Sequence, residues 1–220
     1  ISGGARGQGA AEAKLFAAEG ATVRITDVLD DIGNETAESL GDAVSYRHHD
    51  VAAGDQWTRV MDELLQDFGR LDVLINNAGI FQMGNLATTT LDDWDRMIAI
   101  NQTGTFLGMQ AAARPMREQK SGSIINISSV SVKTPVPGLF LSNSLRMGVL
   151  GWSKALSDEV APNGITVNSV CPGSTRTARI TDILKSQSEA TGKTLEEIEA
   201  LAAAKIPMLK IGEPEDLAAL

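Results

Sequence analysis

The chain has 220 residues, 43% of them hydrophobic, and a mean hydropathy of −0.03, enough apolar content to bury a sizeable core in one domain. Its formal net charge of −9 and pI near 4.7 exclude a broad surface for nucleic-acid phosphates, and no apolar run reaches the roughly 18 residues of a membrane span; a small-molecule partner is expected, with no nucleic acid and no membrane. A single cysteine, Cys171, excludes an internal disulfide, and two histidines without a neighbouring Cys or carboxylate cluster give no metal site, so a reducing cytoplasm is the expected setting.

The chain opens on a glycine-rich turn. Gly3, Gly7 and Gly9 lie in Ser2-Gly3-Gly4-Ala5-Arg6-Gly7-Gln8-Gly9, ahead of a helical pattern from Ala10, where bare backbone N–H groups and a helix N-terminus approach a pyrophosphate. Only Ile1 precedes this loop, and the helical pattern after Pro214 stops at Leu220, so further residues are expected at both ends. A strand over 21–28 carries Asp27, 18 residues after Gly9, close to the spacing at which a carboxylate accepts hydrogen bonds from an adenosine ribose. That carboxylate repels a 2′-phosphate and argues for NAD, whereas Arg6 in the glycine loop suits the phosphate of NADP; NAD is expected and NADP is the second choice. A strand near 43–51 closes on His49-Asp50-Val51, where Asp50 meets the adenine and Val51 packs on its face, or Asp50 simply terminates the strand.

Further along, a helix near 55–68 leads to a strand near 71–77 ending in Asn76-Asn77-Ala78-Gly79. A long helix near 91–119 contains Asn101, a strand near 123–129 reaches Ser129, and a helix near 140–161 precedes a strand near 165–171. This alternation predicts an α/β fold: a Rossmann-type, doubly wound parallel sheet with helices on both faces, one domain over 1–220. Between about 174 and 210 the order breaks into a polar helical insertion, 180–188 and 194–204, that leaves the carboxyl end of a strand and is read as a substrate lid, with a mere helical decoration as the alternative. Cys171 has no histidine near it in sequence and is read as a small buried thiol rather than a nucleophile.

Together, the Gly3/Gly7/Gly9 loop, Asn76-Asn77-Ala78-Gly79, Asn101, Ser129 and Pro172-Gly173 followed by Thr177 resemble the short-chain dehydrogenase/reductase family over nearly the whole chain. The resemblance implies that Asn77, Ala78 and Gly79 stiffen the sheet and line the cofactor, and that Pro172, Gly173 and Thr177 meet its nicotinamide end. It also implies pairing of the 106–113 and 149–156 helix faces into a homodimer or homotetramer. In that family a tyrosine phenol exchanges the proton, helped by a serine, a lysine and an asparagine-held water; the asparagine is Asn101 here. The tyrosine stands thirteen residues after the serine and four before the lysine, and counting from Ser129 reaches Ser142 and then Arg146. Lys154 lies two helical turns too far, and Tyr46, the only tyrosine, belongs to the adenine side.

An aliphatic hydroxyl is a far weaker acid than a phenol of pKa about 10, and its oxygen stops a ring-length short. Arg146 keeps the positive charge and is able to hydrogen-bond the nicotinamide ribose, but a guanidinium does not pass a proton. Members with a comparable Ser-Asn…Arg segment resemble 3-oxoacyl-thioester reductases. Three readings stay open: a water held by Ser129, Ser142 and Asn101 delivers the proton; Arg146 and the hydroxyls activate a carbonyl electrostatically; or NAD(H) binds without useful turnover. The expected function is an NAD(P)-dependent oxidoreductase acting on a small alcohol or carbonyl, an oxoacyl thioester among the candidates, and the alternative is an NAD(H)-binding protein.

Overall fold

A computed structural model describes all residues from 1 to 220. Its strands are β1 (Val23–Asp27), β2 (Val44–His48), β3 (Val73–Asn76), β4 (Gly122–Ile127) and β5 (Ile165–Val170). Its helices are α1 (Gly7–Ala18), α2 (Asp30–Leu40), α3 (Gly54–Phe68), α4 (Leu91–Met97), α5 (Gly104–Gln119), α6 (Phe140–Val160), α7 (Ala178–Thr191), α8 (Leu195–Ala203) and α9 (Pro214–Ala218).

Every strand pair is parallel: β1 with β2, β3 with β4, and β4 with β5. Residues 1–4 join the two groups. Thr26 N donates to Ile1 O at 2.9 Å and Gly4 N to Thr26 O at 3.1 Å on one side, while Ser2 N donates to Ile75 O at 3.0 Å on the other. The order is therefore β2, β1, residues 1–4, β3, β4, β5, a doubly wound sheet whose winding reverses at the first segment. A crevice opens beyond the strand carboxyl ends at such a reversal, which is where ligands bind. The expected α/β fold is the observed one, with helices on both faces.

The strands contribute their Val, Ile, Leu and Tyr side chains to cores on the two faces of the sheet. Val23, Ile25, Val44 and Tyr46 pack with Ala13 of α1 and Ala37 of α2. A larger core gathers Trp57 and Met61 of α3, Met109, Ala112 and Met116 of α5, Ile124 of β4 and Ile165 of β5. Leu184, Ile198 and Ile211 form a separate small core inside the 174–212 excursion, packed by Ile180, Ala202 and Ile206. The two ends of that excursion are stapled: Arg176 N donates to Gly212 O at 2.7 Å and Gly212 N to Ser174 O at 3.1 Å. The excursion is thus a lobe with its own small core, tied at its base by one bridge, Thr175 to Gly212.

One element departs from the expectation. The single helix expected over 91–119 is α4 and α5 joined by a π-helical stretch, Ile98–Thr103. The wider turn inserts a residue into the helical register, and such insertions concentrate at functional sites because they re-aim one side chain. Here that stretch carries Asn101. No helix is long and apolar enough to cross a membrane.

Candidate functional site

The glycine loop and the end of β3 are locked together by one serine and one asparagine. Ser2 Oγ accepts from Asn77 N and Ala78 N, both at 3.1 Å, and Asn77 Nδ2 donates to Ser2 O at 3.0 Å and Gly3 O at 2.9 Å. Gly3 has φ +65°, and a Cβ there would stand 2.7 Å from Ala78 Cα. A Cβ on Gly9 would meet Gly3 O at 2.4 Å and Asn77 Nδ2 at 2.6 Å. These positions admit only hydrogen because the loop presses against β3, and the result is a bare cradle at the N-terminus of α1. Gly7 closes the cradle beneath Thr177, whose methyl would lie 3.4 Å from a Cβ at Gly7. Thr177 is the N-cap of α7 yet makes no side-chain cap bond, so its hydroxyl stays free over the loop.

On the adenosine side, Asp27 Oδ2 accepts from Ala5 N at 3.2 Å, and its Oδ1 accepts from Val28 N at 2.8 Å and Leu29 N at 3.3 Å. The carboxylate is fixed at the mouth of the crossover, between the glycine loop and α2. Arg6 is the exposed N-cap residue of α1. Asp50 and Val51 sit at the turn that follows β2. Asp50 Oδ1 accepts from Ala52 N at 2.9 Å, the turn bond of a strand terminator, and Val51 is a core residue, 7% exposed, whose carbonyl accepts from Trp57 Nε1 at 2.9 Å. The Val51 side chain packs with Trp57 of α3 and lies against Gly104 at the start of α5.

At the other end, Asn101 spends its side-chain amide on one backbone unit. Its Oδ1 accepts from Ile80 N and its Nδ2 donates to Ile80 O, each at 2.8 Å, while Thr105 Oγ1 donates to its carbonyl at 3.0 Å. Asn101 therefore shapes the site by holding the backbone just past Gly79. Arg146 Nη1 donates to Ile127 O at 2.8 Å and Ser128 O at 3.1 Å, and its Nη2 lies 2.9 Å from where a Cβ of Gly79 would stand. Burial, followed by repulsion from Arg179, pushes the Arg146 guanidinium down to about 10, so it stays charged at neutral pH. Ser129 Oγ accepts from Ser131 N at 3.1 Å, which leaves its own O–H to donate outward. Ser142 sits in the first turn of α6, 4% exposed.

Three features were outside the sequence reading. Asn126, fully buried, accepts from Asn76 Nδ2 at 2.8 Å and donates to Ser153 Oγ at 2.9 Å, which pins α6 and thus Ser142 and Arg146 to the sheet. Asn143 clamps the loop ahead of α6, accepting from Val136 N at 3.1 Å and donating to Val136 O at 3.0 Å. That loop, with Phe140 and Asn143, walls a depression of about 250 Å³ that Gly84 and Asn85 also line. Arg179 reaches from the start of α7, donates to Gly79 O at 2.8 Å and lies 5.0 Å over the Phe81 ring. Its place two residues past Thr177 was the only signal available. Of the remaining expected residues, Pro172 accepts from Val130 N at 2.8 Å through its carbonyl, Gly173 stands exposed, and Cys171 is a half-buried free thiol rather than a fully buried one. No group of three or more His, Cys, Asp or Glu is placed to hold a metal ion.

The cradle that a Cβ would fill at Gly3 and Gly9, the helix N-terminus behind it and the carboxylate at the next crossover fit an adenine dinucleotide. Residues 1–188 match the short chain dehydrogenase family. The 3-alpha-(or 20-beta)-hydroxysteroid dehydrogenase of Mycobacterium tuberculosis is 42% identical over 177 residues, covering 80% of this chain and 68% of that protein. Trans-4-hydroxycyclohexanecarboxylate dehydrogenase of Sinomonas cyclohexanicum is 41% identical over 186 residues, covering 80% of this chain and 71% of that one. The solved structure of ElxO with NADP bound superposes with a TM-score of 0.88 at 30% identity, covering 100% of this chain and 87% of that chain. A cradle and topology of this kind, matched by a family over most of its length and by relatives named as dehydrogenases, place the chain in the short-chain dehydrogenase/reductase family of oxidoreductases.

Proposed function

We propose that the chain interconverts a secondary alcohol and its ketone, with proton transfer that does not use a phenol. The observation that carries this reading is Arg146, anchored on Ile127 O and Ser128 O and aimed at Gly79, in the position where the family keeps its lysine. A nicotinamide dinucleotide, when bound, supplies the hydride or accepts it. Gly3, Gly7 and Gly9 would hold its pyrophosphate, with Asp27 at the adenosine ribose and Asn77, Ala78, Gly79, Pro172, Gly173 and Thr177 along the nicotinamide half. Arg146 stabilises negative charge growing on the substrate oxygen, Ser129 donates a hydrogen bond to it, and Ser142 relays a proton from water. The two relatives are named for an alcohol on a steroid and on a cyclohexane ring, which favours alicyclic alcohols over the acyl thioesters of the sequence reading.

On cofactor choice, Asp27 favours NAD by charge, and Arg6 together with the NADP bound to ElxO favours NADP. We assign NAD on the carboxylate, and paired titrations with NADH and NADPH decide it: an NADPH affinity equal to or above that of NADH overturns the assignment. Phe106 and Trp152, 45% and 38% exposed on α5 and α6 with ring centroids 6.0 Å apart, support a homodimer or homotetramer through those helices, and a monomer by light scattering rejects it.

The function is tested by oxidation of NADH or NADPH against cyclic ketones and acyl thioesters. Turnover above blank supports it. Dinucleotide binding without any turnover supports the second reading, a nicotinamide-dinucleotide-binding protein, which the loss of the phenol at Ser142 favours.

A further inference from the structure

The chain's one tyrosine lies in β2, its ring in the core with Val23, Ile25 and Ala37 and its hydroxyl in the turn that follows β1. Tyr46 Oη is 2.7 Å from Asp27 O and 2.6 Å from Asp30 Oδ1, so its single hydrogen is shared between acceptors at the two ends of that turn. His48 Nδ1 stands 2.9 Å from the same Asp30 oxygen. The ring is seated on α2 at Gly33, where a Cβ would run into it, and α2 is tied to the glycine loop by Thr36 Oγ1, which donates to Ala5 O at 2.7 Å. Ala5 N closes the circuit by donating to Asp27 Oδ2 at 3.2 Å. Burial first, and then the bond to Asp30, raises the proton affinity of the phenol, which stays a donor. Tyr46 first, and then His48, hold the Asp30 carboxyl below the usual carboxylate range, so it stays an acceptor.

We propose that Tyr46 and Asp30 are positioning residues for dinucleotide recognition, holding the 27–30 turn so that Asp27 meets the hydroxyls of an adenosine ribose and opposes a 2′-phosphate. This rests on the dinucleotide reading of the glycine cradle. A phenylalanine would fill the same core volume at position 46, whereas both acceptors of the hydroxyl belong to the turn. The turn also supplies the amides of Val28 and Leu29 that donate to Asp27 Oδ1, at 2.8 and 3.3 Å, so whatever fixes 27–30 fixes the direction of the Asp27 carboxylate. The two residues act through Asp27 rather than on the nucleotide. A carboxylate that loses its fixed direction gives up hydrogen bonds to the ribose and also yields to a phosphate, so loosening the turn moves the two cofactors in opposite directions. A general loss of packing weakens both alike.

The test is fluorescence titration of NADH and of NADPH on the wild type, Tyr46→Phe, Asp30→Ala and Asp30→Asn. Tyr46→Phe should weaken NADH by about 3- to 10-fold, the net worth of one hydrogen bond, and leave NADPH unchanged or tighter. The ratio of the two dissociation constants then moves toward NADPH by at least about threefold. Asp30 is exposed, so Asp30→Ala spares the core and should move the ratio likewise, and it carries the same prediction if Tyr46→Phe fails to fold. Asp30→Asn keeps an acceptor for the phenol and should restore most of the wild-type ratio. An unchanged ratio in Tyr46→Phe and Asp30→Ala overturns the proposal, as does equal weakening of both nucleotides. A shift in Asp30→Asn as large as that in Asp30→Ala marks a plain charge effect and overturns it as well. A wild type that prefers NADPH rejects the assignment of NAD, and the shift of the ratio in the variants still decides the positioning role. A wild type that binds neither nucleotide overturns both readings.

Discussion

Truncating Asn126 to alanine tests whether the sheet positions the reactive helix. Asn126 is fully buried between Asn76 of β3 and Ser153 of α6, with hydrogen bonds of 2.8 and 2.9 Å. Asn76 is 4% exposed and its Oδ1 is already without a partner, so removing its acceptor strands the amide donor as well, at about 1–3 kcal/mol. Ser153 loses less, roughly 1 kcal/mol, because its hydroxyl still donates to Val149 O at 2.7 Å. The expected loss for Asn126→Ala is about 2–4 kcal/mol. For a chain of 220 residues that lowers the melting temperature by roughly 5–15 °C. Ser153→Ala alone should cost about 1 kcal/mol, and the double variant should show a coupling of about that size. Thermal unfolding by circular dichroism measures all three. A drop below about 2 °C for Asn126→Ala, or additive single effects, would refute the claim that this amide ties α6 to the sheet.

Gly9→Ala places a methyl 2.4 Å from Gly3 O, and the loop has no flexible side chain to yield; dinucleotide affinity by fluorescence titration should fall at least tenfold, with a stability loss of about 1–3 kcal/mol. His49, 2% exposed, is held down to about 4 by burial, so the folded protein refuses a proton that the unfolded chain accepts near 6.5. His49 should therefore withdraw up to about 3 kcal/mol as pH falls from about 6.5 to 4, while Glu12, pushed up to about 7 by burial, adds stability over the same range, so the His49 contribution is read as the difference between wild type and His49→Phe in urea titrations. Installing the phenol and amine together, Ser142→Tyr with Arg146→Lys, should raise kcat for a neutral ketone by about 10²- to 10⁴-fold in stopped assays; no gain means that proton delivery does not limit the wild type.

The parts of the site legible in the sequence are those fixed by local backbone demands. Gly3 and Gly9 announce themselves because no other residue fits a loop pressed against β3, and Asp27 because it ends a strand at a set distance from that loop. The π-helical stretch was hidden because Ile98-Ala99-Ile100-Asn101 continues the apolar periodicity of an ordinary helix, and only packing reveals the extra residue. How the turn after β2 packs was hidden because strand-end position alone does not say which way a side chain faces once Trp57 and Gly104 pack around Val51. Asn126 with Ser153, 27 residues apart, and Arg179 with Gly79, 100 residues apart, are tertiary pairings that spacing does not encode.

In the proposed reading, an arginine at position 146 where the family keeps a lysine also changes what the site is able to do. An ammonium has one nitrogen with which to hold the backbone, face the ligand and release a proton. The Arg146 guanidinium divides those tasks: Nη1 is bound to Ile127 O and Ser128 O, while Nη2 points at Gly79. Even with burial and Arg179 pulling it down to about 10, it remains charged throughout the neutral range, so the positive field at Gly79 does not switch with pH. With the phenol replaced by Ser142 as well, any proton has to come from a hydroxyl or from water, and the protein's own contribution at this point is a fixed charge. A fixed charge stabilises a substrate oxygen as negative charge grows on it, so Arg146 bears on rate through the transition state and not through proton transfer.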